Sequence, residues 1–368
     1  MDLGLFMMPM HDPAKDYATA LAEDREAVIL ADRLGFAEAW IGEHYSSKAE
    51  QITSPLIFLA TLIGETENIR LGTGVINLPQ HHPAVIAAHC AMFDQLSGGR
   101  LMLGIGSGGL ASDFELFGRT DPKARTEMML ESIDQILRMW TEQPPVTIGG
   151  EHWTMKLEDA VFPHLGVGQF ARPAQQPHPP IAMSVLSPFS GTARTAGERG
   201  WIPVSANFLQ DVHLPGHWQI YAEACEKAGR RPDRSVWRVA RSVLVTESDG
   251  QAQDYLANPD SGVSFYFDYL LSLLRVRNAV KVFKADPDLP DDAVTVPYCV
   301  ETMTVAGSPK TVLDKLVALH DLTGDFGTLV MTAHDWDDKA MWTRSAELLA
   351  TQVMPRFNDH VGIVSAAE

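Results

Sequence analysis

The sequence predicts an α/β chain folded as a (β/α)8 TIM barrel with insertions after strands 4 and 7. Short, nearly continuous apolar runs recur along the chain, as parallel strands buried on both faces require. Each run leads into a segment with apolar residues at helical spacing. Eight such units fit in 368 residues, which suits this barrel. A doubly wound sheet is built from the same alternation and is the structural alternative.

The first strand is Leu3 to Met8, and the helix after it carries Tyr17, Leu21, Val28, Ala31 and Leu34 on one face before stopping at Gly35. The second strand, "EAWIG", precedes Ser54 and Pro55, which supply N-cap and first-turn chemistry for a helix with Leu56, Leu59, Leu62 and Ile63. "IRLGTGVINL" reads as the third strand, with a helix from Pro83 to "SGGR". "LMLGIG" is the fourth, followed later by a helix marked by Met129, Ile133, Ile136 and Trp140. Beyond a Pro- and Gly-rich crossover at residues 143–180 come "IAMSV", a helix near Ser190 to Arg199, "WIPVSA" and "WRVARSVLV". Ser308 and Pro309 then open a helix, "GTLVMT" is the eighth strand, and residues 339–353 form a last helix.

Asp and Glu outnumber Lys and Arg by 47 to 29, for a net charge of −18, and no basic run could neutralise a row of phosphates. Nucleic acid and anionic membrane are therefore not expected partners. Cys90, Cys225 and Cys299 have neither the density of a disulfide framework nor the spacing of a zinc site, which fits a reducing cytoplasm. No basic-then-apolar leader and no apolar stretch long enough to cross a bilayer is visible, so the expected location is cytoplasmic.

In this fold chemistry sits where strands end and βα loops begin. Glu43 and His44 lie there in "EAWIGEHYSS", as do His11, Asn77, Ser107, Ser184 and Ser187 at the ends of other strands. Capping and loop hydrogen bonds are the competing reading for each residue alone; convergence on one rim favours chemistry. "GIGSGG" satisfies GxGxxG through Gly104, Gly106 and Gly109. No helix starts at once, however, and no ribose-binding acid follows at the right distance, so it reads as a loop that lets a ligand approach the backbone.

"GFAEAWIGEHYSS", "IRLGTGVINLPQHHPAVIAAH", "FDQLSGGRLMLGIGSGG" and "DFELFG" resemble the bacterial luciferase-like flavin-dependent monooxygenases. The similarity runs without gaps to about Arg125, resumes at "RPAQQPHPPIAMS" and "VAGSPKTVLDKL", and fades between about 207 and 300. The resemblance implies a barrel that binds reduced FMN from a separate NAD(P)H:flavin reductase. It implies O2 as co-substrate, a flavin C4a-hydroperoxide, oxygenation of a small hydrophobic compound, and a homodimer or higher homo-oligomer. His44 falls on the family's rim histidine beside the flavin, a general acid/base or proton relay whose ordinary pKa near ~6.5 suits the work. Glu43 looks structural. Gly74 and Val75 match a non-proline cis bond beneath the ring, with Asn77 either at its pyrimidine edge or capping a turn.

Ser187, Ser190, Gly191 and Thr192, with Ser184 just before them, are the phosphate candidates in "SVLSPFSGTARTAG", where ordinary N-capping is the alternative. The family's cysteine and phosphate-binding arginine are replaced here by Gly106 and Ser107, which leaves less positive charge for the phosphate. Phe6, Met8, Trp40, Tyr45 and Phe208 are candidates for an apolar substrate pocket, with Met10, Phe265 and Tyr266 behind them; all could equally be core. A terpenoid, an aldehyde, or an aromatic amine or ketone would fit.

The alternatives are a deazaflavin F420-dependent hydride-transfer enzyme of the same fold, and a metal-dependent barrel hydrolase. The adjacent His81 and His82 would point to opposite sides of a strand, so no metal site is expected. The whole chain reads as one domain, with residues 250–297 a lid insertion, a surface excursion or a dimer contact. Its acidic, proline-rich "KADPDLPDDA" resists regular structure.

Overall fold

The computed structural model describes residues 1–362. Its strands are β1 (Asp2–Met7), β2 (Glu38–Ile41), β3 (Arg70–Thr73), β4 (Ile76–Asn77), β5 (Leu101–Gly106), β6 (Val146–Gly149), β7 (Thr154–Leu157), β8 (Ile181–Val185), β9 (Ile202–Ser205), β10 (Arg238–Val245), β11 (Thr304–Gly307) and β12 (Thr328–Thr332). Among the described residues, eight form a closed parallel barrel in the order β1-β2-β3-β5-β8-β9-β10-β12, which removes the doubly wound alternative. β12 pairs with β1, Phe6 opposite Thr332, and β9 pairs with β10, Val204 opposite Arg238.

The helices begin where the capping residues stand. Asp16 accepts from the Thr19 amide ahead of Tyr17–Arg33, and Ser54 and Ser308 do the same for Pro55–Ala60 and Pro309–Thr323. The predicted third strand is split: the Gly74–Val75 peptide is cis, and β4 continues on β5 alone. The crossover after β5 holds the antiparallel pair β6–β7.

The insertion after β10 departs most from expectation. It builds helices Asp249–Ala257, Gly262–Val276 and Val296–Met303, and then β11, which extends the sheet beside the upper half of β10. Four residues ending at a Ser-Pro are too few to declare a strand by alternation. The "KADPDLPDDA" stretch follows the single-turn 3₁₀ helix Val280–Phe283 and ends in a second, Asp291–Ala293, and Lys284 pairs with Asp291 at 2.6 Å. Its anchors Phe283 and Val294 are fully buried in an apolar cluster with Val263, Phe267 and Cys299.

Trp40, Met102, Ala182, Ile202, Ala240 and Val330 fill the barrel, with Phe6 and Val204 above them and partly exposed. Below, the Trp40 Nε1–H donates to Glu38 at 2.9 Å, and Glu38 pairs with Arg238 across the interior at 2.9 Å.

The β1–β12 seam is clamped by buried charge. His11 lies 2.6 Å from Asp335 through Nδ1 and 3.2 Å from Asp24 through Nε2, and Lys15 bridges Asp335 at 2.5 Å and Glu23 at 2.7 Å. His11 is thereby committed to the seam rather than to rim chemistry. Burial pushes its pKa down, but hydrogen bonds to Asp24 and Asp335 outweigh this and raise it to about 9. The unfolded histidine titrates near ~6.5, so this stabilisation is complete below ~6.5 and lost as pH rises through about 9. His11→Asn is expected to remove a fall in unfolding free energy of about 3 kcal/mol across that window, measured by urea denaturation at several pH values. A parent protein with flat stability over the same window would contradict the clamp.

Candidate active site

The strand ends form an open mouth along which Phe6, Gly74, Val75, Gly106, Ser107, Ser184 and Val204 are partly exposed. Close backbone approach shapes one wall. A Cβ at Gly104 would stand 1.9 Å from the Thr73 carbonyl oxygen, and one at Gly106 would stand 2.5 Å from Val75 Cγ2. Side chains are excluded there by backbone and by Val75.

His44 follows β2 and is buried between carboxylates. Its Nδ1 meets Asp113 Oδ2 at 3.1 Å, and its Nε2 faces Glu50 Oε1 at 3.4 Å. Asp113, on the helix Ala111–Leu116, also accepts from the Tyr45 amide and the Ser46 hydroxyl, which aims it at His44. Burial disfavours the imidazolium, but Glu50, Asp113 and Glu43 outweigh it and raise the His44 pKa. Burial works to raise Asp113, yet the bonds from His44, Ser46 and Tyr45 hold it below the usual carboxylate range. The carboxylates around His44 thus favour its protonated form relative to a free imidazole, with Nδ1 held by Asp113 and Nε2 facing Glu50.

Glu43 is structural. It accepts from the Asn77 amide at 2.8 Å through Oε2, and its Oε1 meets His81 Nε2 at 3.0 Å and the Tyr45 hydroxyl at 3.3 Å. Asn77 Nδ2 donates to the Glu43 carbonyl at 3.1 Å, leaving the Asn77 Oδ1 beside Gly106.

Across the mouth, the loop after β8 opens the helix Gly191–Arg199. Ser190 makes no side-chain cap, and no acidic residue sits in the first turn. The N-capping alternative therefore does not hold for Ser190. Its hydroxyl lies 2.6 Å from that of Thr192, which in turn donates to the Ser184 carbonyl at 2.7 Å. Thr192 thus braces the strand end, and with its own proton committed to Ser184 it accepts from the Ser190 hydroxyl. His217 fixes the loop, donating from Nε2 to the Ser187 carbonyl at 3.0 Å while Nδ1 accepts from Ser205 at 2.9 Å. Burial pulls its pKa to about 4, so it is neutral there.

Of the pocket candidates, Phe6 and Met8 stand at the top of β1, and Tyr45 packs edge-on against Phe117 at 4.9 Å. Phe208 packs against Phe283 of the insertion at 6.4 Å. Trp40 is a correction: it is 2% exposed, and its indole nitrogen bonds Glu38 below it, so it fills the barrel and is not a pocket wall. Tyr266 is also buried, donating to Asn207 at 2.9 Å.

Sequence reading missed Asp113, Glu50 and Tyr269. Asp113 was visible as the acid of "DFELFG", one of the segments carrying the family resemblance. Glu50 and Tyr269, which donates to Glu50 at 2.8 Å, are 219 residues apart, and no local pattern joins them.

A cavity of about 1210 Å³ lies elsewhere, between the insertion, β11 and the helix Pro309–Thr323. Its lining includes Asp249, Asp260, Asp268 and Glu301 against the single Lys315, a field that would repel a phosphate. Among the described residues no group of His, Cys, Asp or Glu is arranged to hold a metal ion, and no helix is long and apolar enough to cross a membrane. The three cysteines are buried and unpaired.

The chain is 34% identical to 4-hydroxyprotoasukamycin monooxygenase of Streptomyces nodosus subsp. asukaensis, over all of this chain and 95% of that one. It is 31% identical to limonene 1,2-monooxygenase of Rhodococcus erythropolis, over 98% and 88% of the two chains. The oxygenating constituent of 3,6-diketocamphane monooxygenase from Pseudomonas putida, solved in complex with FMN, superposes with a TM-score of 0.87 at 28% identity, covering 97% of this chain and 99% of that one. The family model for luciferase-like monooxygenases matches residues 1–325, and the chain belongs to that family.

Proposed function

We propose that this chain is the oxygenating component of a two-component system. It would take reduced FMN from a separate NAD(P)H:flavin reductase and use O2 to oxygenate a small hydrophobic substrate. The observation that carries this reading is the mouth itself: partly exposed glycine-rich strand ends, with His44 among carboxylates after β2 and a helix N-terminus without a side-chain cap after β8. The relative solved with FMN and described as an oxygenating constituent supports both the cofactor and the division of labour.

The residues present fit FMN. Gly74, Val75, Asn77, Gly106 and Ser107 would lie along the ring, where a Cβ at Gly106 would collide with Val75. Ser187, Ser190, Gly191 and Thr192 would meet the phosphate with hydroxyls and first-turn N–H groups, aided by the helix dipole. With Gly106 and Ser107 lacking a guanidinium, those N–H groups carry more of the anion's charge. Bound reduced FMN supplies the activation of O2. The protein's share is to orient the ring, to exclude water with Phe6, Met8, Tyr45 and Phe208, and to hold a proton at His44 Nε2. Residues 250–297 would act in this reading as the lid, since water admitted to the site favours reduction of O2 by the flavin to hydrogen peroxide in place of oxygen transfer.

His44→Ala should leave FMN affinity near the parent's and slow product formation by ~10² or more. Oxygenation at the parent's rate would remove His44 from the chemistry.

Replacing Ser190 and Thr192 with alanine removes a donor and its brace. FMN binding should weaken by about 2–4 kcal/mol while riboflavin binding hardly changes. Equal losses for the two ligands would show that the phosphate is held elsewhere.

Replacing residues 284–293 with a Gly-Ser chain of equal length keeps the buried anchors Phe283 and Val294. The variant should still bind flavin and oxidise it, but release hydrogen peroxide in place of oxygenated product. An unchanged ratio of product to peroxide would assign the segment a role other than shielding.

A further inference from the structure

His44 is faced by charged groups from three places. Asp113 comes from the helix Ala111–Leu116, Glu43 is its own neighbour, and Glu50 approaches from the end of the same loop. Two of these have other duties in full view. Asp113 collects the Tyr45 amide and the Ser46 hydroxyl, and Glu43 holds Asn77 and His81. Glu50 is different: it is 6% exposed, its Oε1 faces the His44 Nε2 at 3.4 Å, and its Oε2 accepts from the Tyr269 hydroxyl at 2.8 Å. Tyr269 belongs to the insertion helix Gly262–Val276 and also meets the Ser47 hydroxyl at 3.2 Å. Ser47 accepts from the amides of Ala49 and Glu50, so the tyrosine grips the loop turn as well as the carboxylate.

We propose that Glu50 and Tyr269 are positioning residues for His44, through which the insertion sets the proton occupancy of Nε2 as well as covering the site. A carboxylate at that distance favours the imidazolium, and a phenol donating to the carboxylate favours its ionised form. Without Tyr269, burial leaves more of Glu50 protonated, its charge on the ring weakens, and the proton on Nε2 is held less tightly. Burial already raises Glu50, which makes its charge sensitive to one hydrogen bond. The functional meaning of the link rests on the reading of His44 as the proton donor; the link itself does not.

The test is a titration of the His44 ring by nuclear magnetic resonance in flavin-free protein, comparing the parent with Glu50→Gln, Tyr269→Phe and Tyr255→Phe. Tyr255 is the control, since it donates to Asp337 and touches none of these groups. Glu50→Gln should lower the His44 midpoint by ~1 pH unit or more, Tyr269→Phe should lower it by less, and Tyr255→Phe should leave it in place. The alkaline limb of the oxygenation rate should move down with it in the flavin-loaded enzyme. An unmoved midpoint in Glu50→Gln, or the same midpoint in Tyr269→Phe as in Tyr255→Phe, overturns the proposal even if oxygenation by the parent is demonstrated. The expected shifts in a protein that oxygenates nothing would uphold the link and sink the flavin reading instead.

Discussion

The indole of Trp40 inside the barrel is the constraint on which the rest depends. A Cβ at Gly72 would stand 2.6 Å from the Trp40 ring, so the neighbouring strand must be bare where the indole sits, and one at Gly74, just past it, would stand 2.9 Å from the Trp40 Cβ. Bare backbone at β3 lets β5 close in, until Gly104 abuts the Thr73 carbonyl. The ends of these strands then carry little side chain, and an open mouth remains above a filled waist. The indole is itself held from below by Glu38, whose charge is balanced by Arg238 from the far side of the barrel. A buried acid with one partner missing would be costly, so the pair belongs to the same device.

Around the mouth, similar residues divide the work by environment. Glu43 and Glu50 both flank His44, yet one is spent on backbone and His81 while the other is left facing a ring nitrogen. Three buried histidines show the same division: carboxylates push His11 up, burial pulls His217 down, and three acids raise His44. Which way each shifts follows from whether a carboxylate or a hydroxyl was brought to it.

The insertion after β10 shows how a segment that looks like an appendage becomes part of the site. Its aromatic helix buries Val263, Phe267 and Leu271 in a cluster of its own, and β11 fastens it to the upper half of β10. That fastening carries Tyr269 to Glu50. A cover held only by apolar contact could shift without consequence for the histidine; one joined by a directed hydrogen bond cannot.

Period and punctuation in the sequence determine the eight-unit alternation, most helix starts, and the set of strand ends from which His44, Asn77, Ser107 and Ser184 project. These are local properties: an N-cap serine, a proline in the first turn or an apolar run acts through neighbours a few residues away. Tertiary structure alone decided closure through β9–β10, the short β11, the descent of Trp40 into the barrel, the release of Ser190 from capping, and the partners of His44. Asp113 and Tyr269 reach that histidine's surroundings from 69 and 225 positions away along the chain, and its charge depends on the field they help to set. Such a field is a sum over distance in space, and chain order does not encode it until the barrel has closed.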